Sequence, residues 1–329
     1  MGMKALVLRK PLGVENLKFE DVPDPDPADD EVLVKVLMSG LNPVDYGLIN
    51  GRIIYNVNPM PHIPGAEAIG TVMKSHGTFR EGDRVVIYNR IYDGTCPKCL
   101  SGNEHLCING GIWSVVSNGG YAEMLAVKSY NLFPIPESIS NEVAVSLPVG
   151  ALTAYRALKR AGAEAGKKLL VYGASGNTGT FLTQLGNIIG MEVYAVTRKN
   201  WTGKFGSHKT YTADRIPDDL KADIVVNSIG SSFWNSAISH LDSSGTLVTF
   251  GVQTGKEAAI DISQIYSREF RIVGSTGGTR KDFHEVIEIA EKFKLKVNVS
   301  DKFYLGDYAK AMKRYDEIRD GRIIFMNNM

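Results

Sequence analysis

Two textures of apolar residues divide the chain. Up to about residue 134 the apolar runs are short and loosely alternating, as in Glu31-Val-Leu-Val-Lys-Val-Leu37, Ala68-Ile-Gly-Thr-Val-Met73 and Arg84-Val-Val-Ile-Tyr88. Such alternation marks half-buried strands. Gly and Pro punctuate these runs, and Gly82-Asp83 signals a turn before the third. The pattern predicts a barrel-like all-β unit with irregular loops. From about Asn141 the texture changes. Residues 142–162 have helical spacing, and strands at 169–172, 193–196, 224–227, 246–250 and 270–273 then alternate with helices at 178–190, 233–240 and 282–293. Strands alternating with helices predict a parallel sheet covered on both faces. A final strand, helix and strand, at 302–304, 308–319 and 322–326, are expected to return to the N-terminal unit. The expected domains are residues 1–134 with 295–329, and residues 135–294.

Composition narrows the function. A chain of 329 residues can bury two substantial cores. A formal net charge of +1 argues against nucleic acid or an anionic membrane as partner. No apolar run approaches the roughly 20 residues of a membrane helix. The apolar run after Lys4 is too short for a signal peptide and is closed by Arg9 and Lys10, so a cytoplasmic location is expected. The three cysteines, Cys96, Cys99 and Cys107, crowd into one short segment. An odd, clustered set points to a metal rather than to disulfides.

The segment Leu169-Leu-Val-Tyr-Gly-Ala-Ser-Gly-Asn-Thr-Gly179 carries the candidate cofactor chemistry. An apolar strand runs into Gly173-x-x-Gly176-x-x-Gly179 and a helix follows, the context that makes a glycine motif a dinucleotide site. The glycines allow a tight turn and close backbone approach, and the helix N-terminus offers N–H groups to a pyrophosphate. Gly173, Ser175, Gly176, Asn177, Thr178 and Gly179 are the candidate contacts. An NAD site places Asp or Glu at the end of the second strand to hold the ribose. This chain has Thr197-Arg198-Lys199 there. Cationic side chains attract a 2′-phosphate that a carboxylate would repel, so NADP(H) is expected. Asn227, Gly251 and Ser275 follow later strands and are further candidates, because ligands of open α/β sheets bind at the strands' carboxyl ends.

Several signatures together resemble the medium-chain dehydrogenase/reductase superfamily over essentially the full length. They are Gly82-Asp-Arg-Val-Val86, Gly119-Gly-Tyr-Ala-Glu123, Leu147-Pro-Val-Gly-Ala-Leu-Thr-Ala-Tyr-Arg-Ala-Leu158, the glycine turn and Gly321-Arg-Ile-Ile-Phe325. The resemblance implies an α/β protein: a GroES-like β-barrel catalytic domain plus a Rossmann domain, with the active site in the cleft between them. It also implies a homodimer or homotetramer. Zinc alcohol dehydrogenases of this family hold a catalytic zinc through Cys, a Gly-His-Glu motif and a further Cys or Asp. The corresponding positions here are Asn42, Ala66 and Val149. An amide, a methyl and an isopropyl group are not zinc ligands. The catalytic zinc is therefore expected to be absent, and with it the Lewis acid that polarises a carbonyl.

The stretch Asn42-Pro-Val-Asp45 instead resembles the quinone oxidoreductase and enoyl reductase branch. This implies hydride transfer from NADPH to a quinone or to the β-carbon of an α,β-unsaturated carbonyl. Such a reaction needs a donor near the carbonyl oxygen and a proton source. Asn42, Tyr46 and Tyr55 are the candidates, set against the plain alternative of packed rings with satisfied hydroxyls. Zinc dehydrogenases also carry a structural zinc on four cysteines. Cys96, Cys99 and Cys107 match the last three positions and Asp93 the first, so one structural zinc held by these four residues is expected. Two other readings stay open: an alcohol dehydrogenase with atypical ligands such as Glu67 and His62, and a non-enzymatic nucleotide-binding protein.

Overall fold

The computed structural model describes residues 2–10, 13–53, 56–317 and 320–327. Two compact units emerge, Met1–Val149 with Thr279–Met329, and Gly150–Gly278.

The second unit is built on six parallel strands. Across the sheet they run Lys209–Tyr211, Glu192–Val196, Lys168–Tyr172, Ala222–Asn227, Leu241–Thr249 and Arg271–Gly274. The chain starts at the centre, winds outward to one edge, then restarts beside its first strand and winds to the other. This is the expected doubly wound order, and its direction reverses between Lys168–Tyr172 and Ala222–Asn227. Leu169, Leu170, Val171 and Tyr172 are all buried. A continuous apolar run is what a strand covered on both faces requires. The outer strand Lys209–Tyr211 escaped the sequence reading. Three residues, Lys-Thr-Tyr, are too few to show a period.

In the first unit, Val299–Tyr304, Arg322–Met326, Glu31–Gly40, Ala68–Val72, Arg84–Ile87 and Leu132–Pro134 form the main path of a seven-stranded sheet. Met124–Lys128 also pairs with Glu31–Gly40. Along Glu31–Gly40, Val32, Val34 and Val36 point into the core while Lys35 is exposed. The final strand pairs antiparallel with this one, setting Ile324 opposite Gly40. Gly2–Leu8 and Leu17–Pro23 add a hairpin that the sequence reading missed.

Two expectations need correction. Residues 142–162 are not one helix. They form Asn141–Ala144, a wider π-helical turn at Leu147–Ala151, and Leu152–Ala161. Pro148 lacks an N–H and its ring crowds the preceding turn, so a regular helix cannot pass through it. The domain boundaries also move. Residues 135–149 and 279–294 belong with the β-rich unit. Phe283 of helix Arg280–Phe293 is fully buried with its ring 4.9 Å from Phe133 and 5.9 Å from Tyr88. Ser138 Oγ donates to Glu291 at 2.9 Å, and Lys302 pairs with Glu142 at 2.5 Å. Among the described residues, no helix is long and apolar enough to cross a membrane.

Candidate active site and metal cluster

Asn42, Ala66 and Val149 do converge, around a buried carboxylate. Glu67 is fully buried on the strand-entry segment after Ala66. Its Oε2 accepts from the Arg322 guanidinium and from Asn42 Nδ2, the latter at 2.9 Å. Its Oε1 accepts from the Val149 amide at 2.8 Å. Arg322 Nη1 donates in turn to Asn42 Oδ1 at 3.2 Å, and Asn42 Nδ2 also reaches Gly40 O at 3.3 Å. The result is a closed network of one carboxylate, one guanidinium and one amide. Burial lowers the Arg322 pKa to about 9, which still leaves it charged at neutral pH, and Asp45 opposes that fall.

Each partner has a local cause. The pairing of Ile324 with Gly40 and the hydrogen bond from Leu41 N to Ile323 O carry the same register on toward Arg322 and Asn42. Gly40 is glycine because of crowding: an added Cβ would lie 1.8 Å from Arg322 Nη2 and 2.5 Å from Glu67 Oε2. The π-helical turn at Leu147–Ala151 contains the Val149 N–H that Glu67 takes. Arg322 was missed as a site residue. Its only sequence signal was a cation opening an otherwise apolar strand, Arg-Ile-Ile-Phe-Met.

Asp45 lies next to this network, also fully buried. It accepts from Asn42 N at 2.9 Å and from Ala66 N at 2.7 Å. Burial raises its pKa to about 6 despite these donors. The expected roles of the other candidates change. Both N–H bonds of the Asn42 amide are spent inside the network, so it is not a free donor for a substrate carbonyl. The Tyr46 hydroxyl donates to Asp316, and its ring stacks on Tyr315 at 4.8 Å, which is the packed-ring alternative. Tyr55 lies outside the described residues. The His62 and Glu67 alternative finds no support in the geometry. His62 Nε2 pairs with Ser114 O at 2.8 Å, Glu67 is committed as above, and among the described residues neither belongs to a group of three or more potential metal ligands.

The glycine turn fits a dinucleotide. Gly173 has φ +82°, and a Cβ on Gly179 would lie 2.1 Å from Gly173 O, so the turn closes only without side chains. Gly176 caps helix Asn177–Ile189 with no side-chain hydrogen bond, leaving its first amides, at Asn177, Thr178 and Gly179, facing the turn's mouth. Ser175 is half-buried in that turn. Asn177 Nδ2 and Ser275 Oγ are buried polar atoms with no hydrogen-bond partner, a sign of groups that await a ligand. At the end of Glu192–Val196, Thr197 Oγ1 accepts from Lys199 N at 3.1 Å and Arg198 is exposed. No carboxylate follows this strand directly. A Cβ on Gly251 would lie 2.0 Å from Ser228 O, so this glycine permits a close loop approach. Asn227 behaves differently from expectation. Its Oδ1 accepts from Ile229 N and Gly230 N, both at 3.1 Å, and its Nδ2 donates to Gly230 O at 3.0 Å. It staples the turn after its strand.

Asp93, Cys96, Cys99 and Cys107 come together. Their ligand atoms lie within 4.8 Å of one another, and among the described residues no other group of three or more His, Cys, Asp or Glu does this. Cys96 Sγ is 3.5 Å from Cys99 Sγ and 3.8 Å from Cys107 Sγ. A tetrahedron with Zn–S bonds of about 2.3 Å has edges of about 3.8 Å, so the spacing fits a metal.

Residues 28–137 match the alcohol dehydrogenase GroES-like domain, and residues 178–292 match the zinc-binding dehydrogenase model. An NAD-dependent alcohol dehydrogenase of Sulfolobus acidocaldarius is 28% identical, over 98% of this chain and 97% of the relative. An acryloyl-coenzyme A reductase of Sulfurisphaera tokodaii is also 28% identical, over 98% of this chain and 99% of the relative. The solved structure of a cobalt- and zinc-bound thermostable alcohol dehydrogenase from Pyrobaculum aerophilum superposes with a TM-score of 0.92. That similarity covers 99% of this chain and 100% of the other at 34% identity.

Two outcomes test the network. Arg322→Met strands a buried charge and is expected to cost about 3–5 kcal/mol in denaturant unfolding. Adding Glu67→Gln should recover part of that loss, by about 1–3 kcal/mol, because the two share one interaction. Asp45 gives a pH signature. Between its unfolded value near 4 and its folded value of about 6, the folded state keeps a proton that the unfolded chain gives up. The carboxyl's contribution to stability therefore falls as pH rises through that window and is level above it. The stability of wild type minus that of Asp45→Asn should drop by about 2 kcal/mol from pH 4 to 7. A flat difference in unfolding curves across that range would refute the assignment.

Proposed function

The chain belongs to the medium-chain dehydrogenase/reductase superfamily of oxidoreductases, and we propose that it is an NADP(H)-dependent reductase of α,β-unsaturated carbonyls or quinones that works without a catalytic metal. The observation that carries this reading is the closed Asn42–Glu67–Arg322 network. Where the family resemblance puts metal ligands, this chain has an amide, a methyl and an isopropyl group, and the adjoining Glu67 carboxylate is paired with Arg322. A simple ketone or alcohol needs an electrophile on its oxygen. A conjugated acceptor spreads the developing charge over its own framework and depends less on one. The acryloyl-coenzyme A reductases among the relatives, at 28% and 26% identity, support the same substrate class.

A reduced nicotinamide, when bound, supplies the hydride. The protein's part is to bind and orient it. The amides at the start of helix Asn177–Ile189 face a pyrophosphate, with Gly173 and Gly179 giving the close approach. Arg198 and Lys199, with Thr197, are suited to a 2′-phosphate in place of the acid that an NAD site would carry. Ser275 Oγ and Asn177 Nδ2 offer unspent polar atoms. In the cysteine lobe, Asp93, Cys96, Cys99 and Cys107 would hold one structural zinc ion.

Purified protein is to be mixed with NADPH or NADH and a panel of quinones, enones, enoyl thioesters, simple ketones and aldehydes. Conjugated acceptors should oxidise NADPH, with NADPH favoured over NADH by about tenfold or more in kcat/KM, which is about 1.4 kcal/mol or more. Arg198→Ala with Lys199→Ala should erase that preference while leaving NADH turnover in place. Turnover confined to simple ketones or alcohols would refute the substrate class, and NADPH binding without any turnover would favour the non-enzymatic alternative. Metal analysis should return one zinc per chain. Two would restore a catalytic metal and the alcohol dehydrogenase reading.

A further inference from the structure

We propose that Asn109 is the positioning residue of the cysteine lobe, holding the Asp93 carboxylate as the fourth metal ligand; this rests on the reading above that the lobe binds zinc. The three thiolates need little help, since Cys96 caps the short helix Pro97–Leu100, Cys99 lies within it, and Cys107 follows a tight turn at Glu104–Leu106. A carboxylate is the odd member of the shell. It is a harder donor, with a rotatable end and two oxygens that can turn away.

Both oxygens of Asp93 are fixed. Oδ1 accepts from Thr95 N at 2.8 Å and Cys96 N at 3.0 Å. Those two bonds tie the side chain to the turn that leads into the first cysteine. Oδ2 accepts from Asn109 Nδ2 at 2.5 Å, the shortest of the three contacts. Asn109 stands two residues beyond Cys107, so the orienting amide is tied to the last thiolate. The Asp93 amide completes the link by donating to Cys107 Sγ at 3.4 Å. The carboxylate thus reaches the cluster in one orientation, set from both ends of the loop. Partners that orient metal ligands typically change metal affinity by about 10–100-fold when removed.

The prediction separates orientation from simple loop packing. Wild type, Asn109→Ala, Asp93→Cys and the double variant Asp93→Cys/Asn109→Ala are loaded with Co²⁺. Their visible absorption and the rate of cobalt release to a chelator are then measured. Asn109→Ala should release cobalt about tenfold faster or more and shift the d–d bands. In the Asp93→Cys background, where no carboxylate remains to be oriented, adding Asn109→Ala should change neither. An equal effect of Asn109→Ala in both backgrounds, or none in either, would overturn the proposal. Wild type that retains neither cobalt nor zinc would overturn the underlying metal reading, a failure visible before any variant is compared.

Discussion

Much of the first unit's centre follows from burying the Glu67 carboxylate. A carboxylate in a protein core is tolerable only if a countercharge and further donors reach it. Arg322 supplies the charge, Asn42 and the Val149 amide supply the donors, and all arrive from distant parts of the chain. The closing strand must therefore pair with Glu31–Gly40 in the register seen, since a slip of one residue would turn Arg322 to the other face. Gly40 must stay small where the ion pair crosses it. The helix after Ser140 must open into a π-helical turn at Pro148. One polar interaction thus constrains a strand register, a glycine and a helix defect that look unrelated along the chain.

The periodic parts of this architecture were legible in the sequence and the network was not. Strand positions such as Val32, Val34 and Val36 announce themselves because burial repeats along the strand. The Gly173 turn is legible for a different reason, since only glycine meets its geometry. Local pattern says nothing about which side chains meet across the fold. Asn42 could be recognised as a non-ligand, yet its amide N–H groups are consumed by the neighbouring Gly40 carbonyl and by Glu67, which lies on another segment. Arg322 looks like a strand terminus until Glu67 is seen beside it. Asn227 sits where a cofactor contact is expected, but its side chain is taken up by its own turn. The domain boundary failed likewise, because helix Arg280–Phe293 has the same periodicity whichever sheet it covers, and only the rings around Phe283 decide.

The two places at which this family holds metal have diverged in chemistry within one chain. In the lobe, three sulfurs and a carboxylate still sit at metal-binding distances, so the soft donor set persists where it organises a loop. In the barrel, the ligand positions carry an amide, a methyl and an isopropyl group, and a guanidinium balances the remaining acid. The arrangement is self-consistent. A buried Glu67 carboxylate without partners would be costly, and the Arg322 contact and the Asn42 amide prevent that.

A guanidinium differs from a metal ion in what it can do for a substrate, because it cannot accept a lone pair. Arg322 neutralises charge, with Nη1 engaged by Asn42 and Nη2 by Glu67, and it is buried. A guanidinium offers no open coordination position to a substrate oxygen. An oxygen developing negative charge would have to be stabilised by other groups or by the substrate's own conjugation. A hydrogen-bonded guanidinium supplies charge but no Lewis-acid site. Acceptors whose charge is delocalised over their own framework depend least on such a site, which is the link between this network and the reaction proposed above.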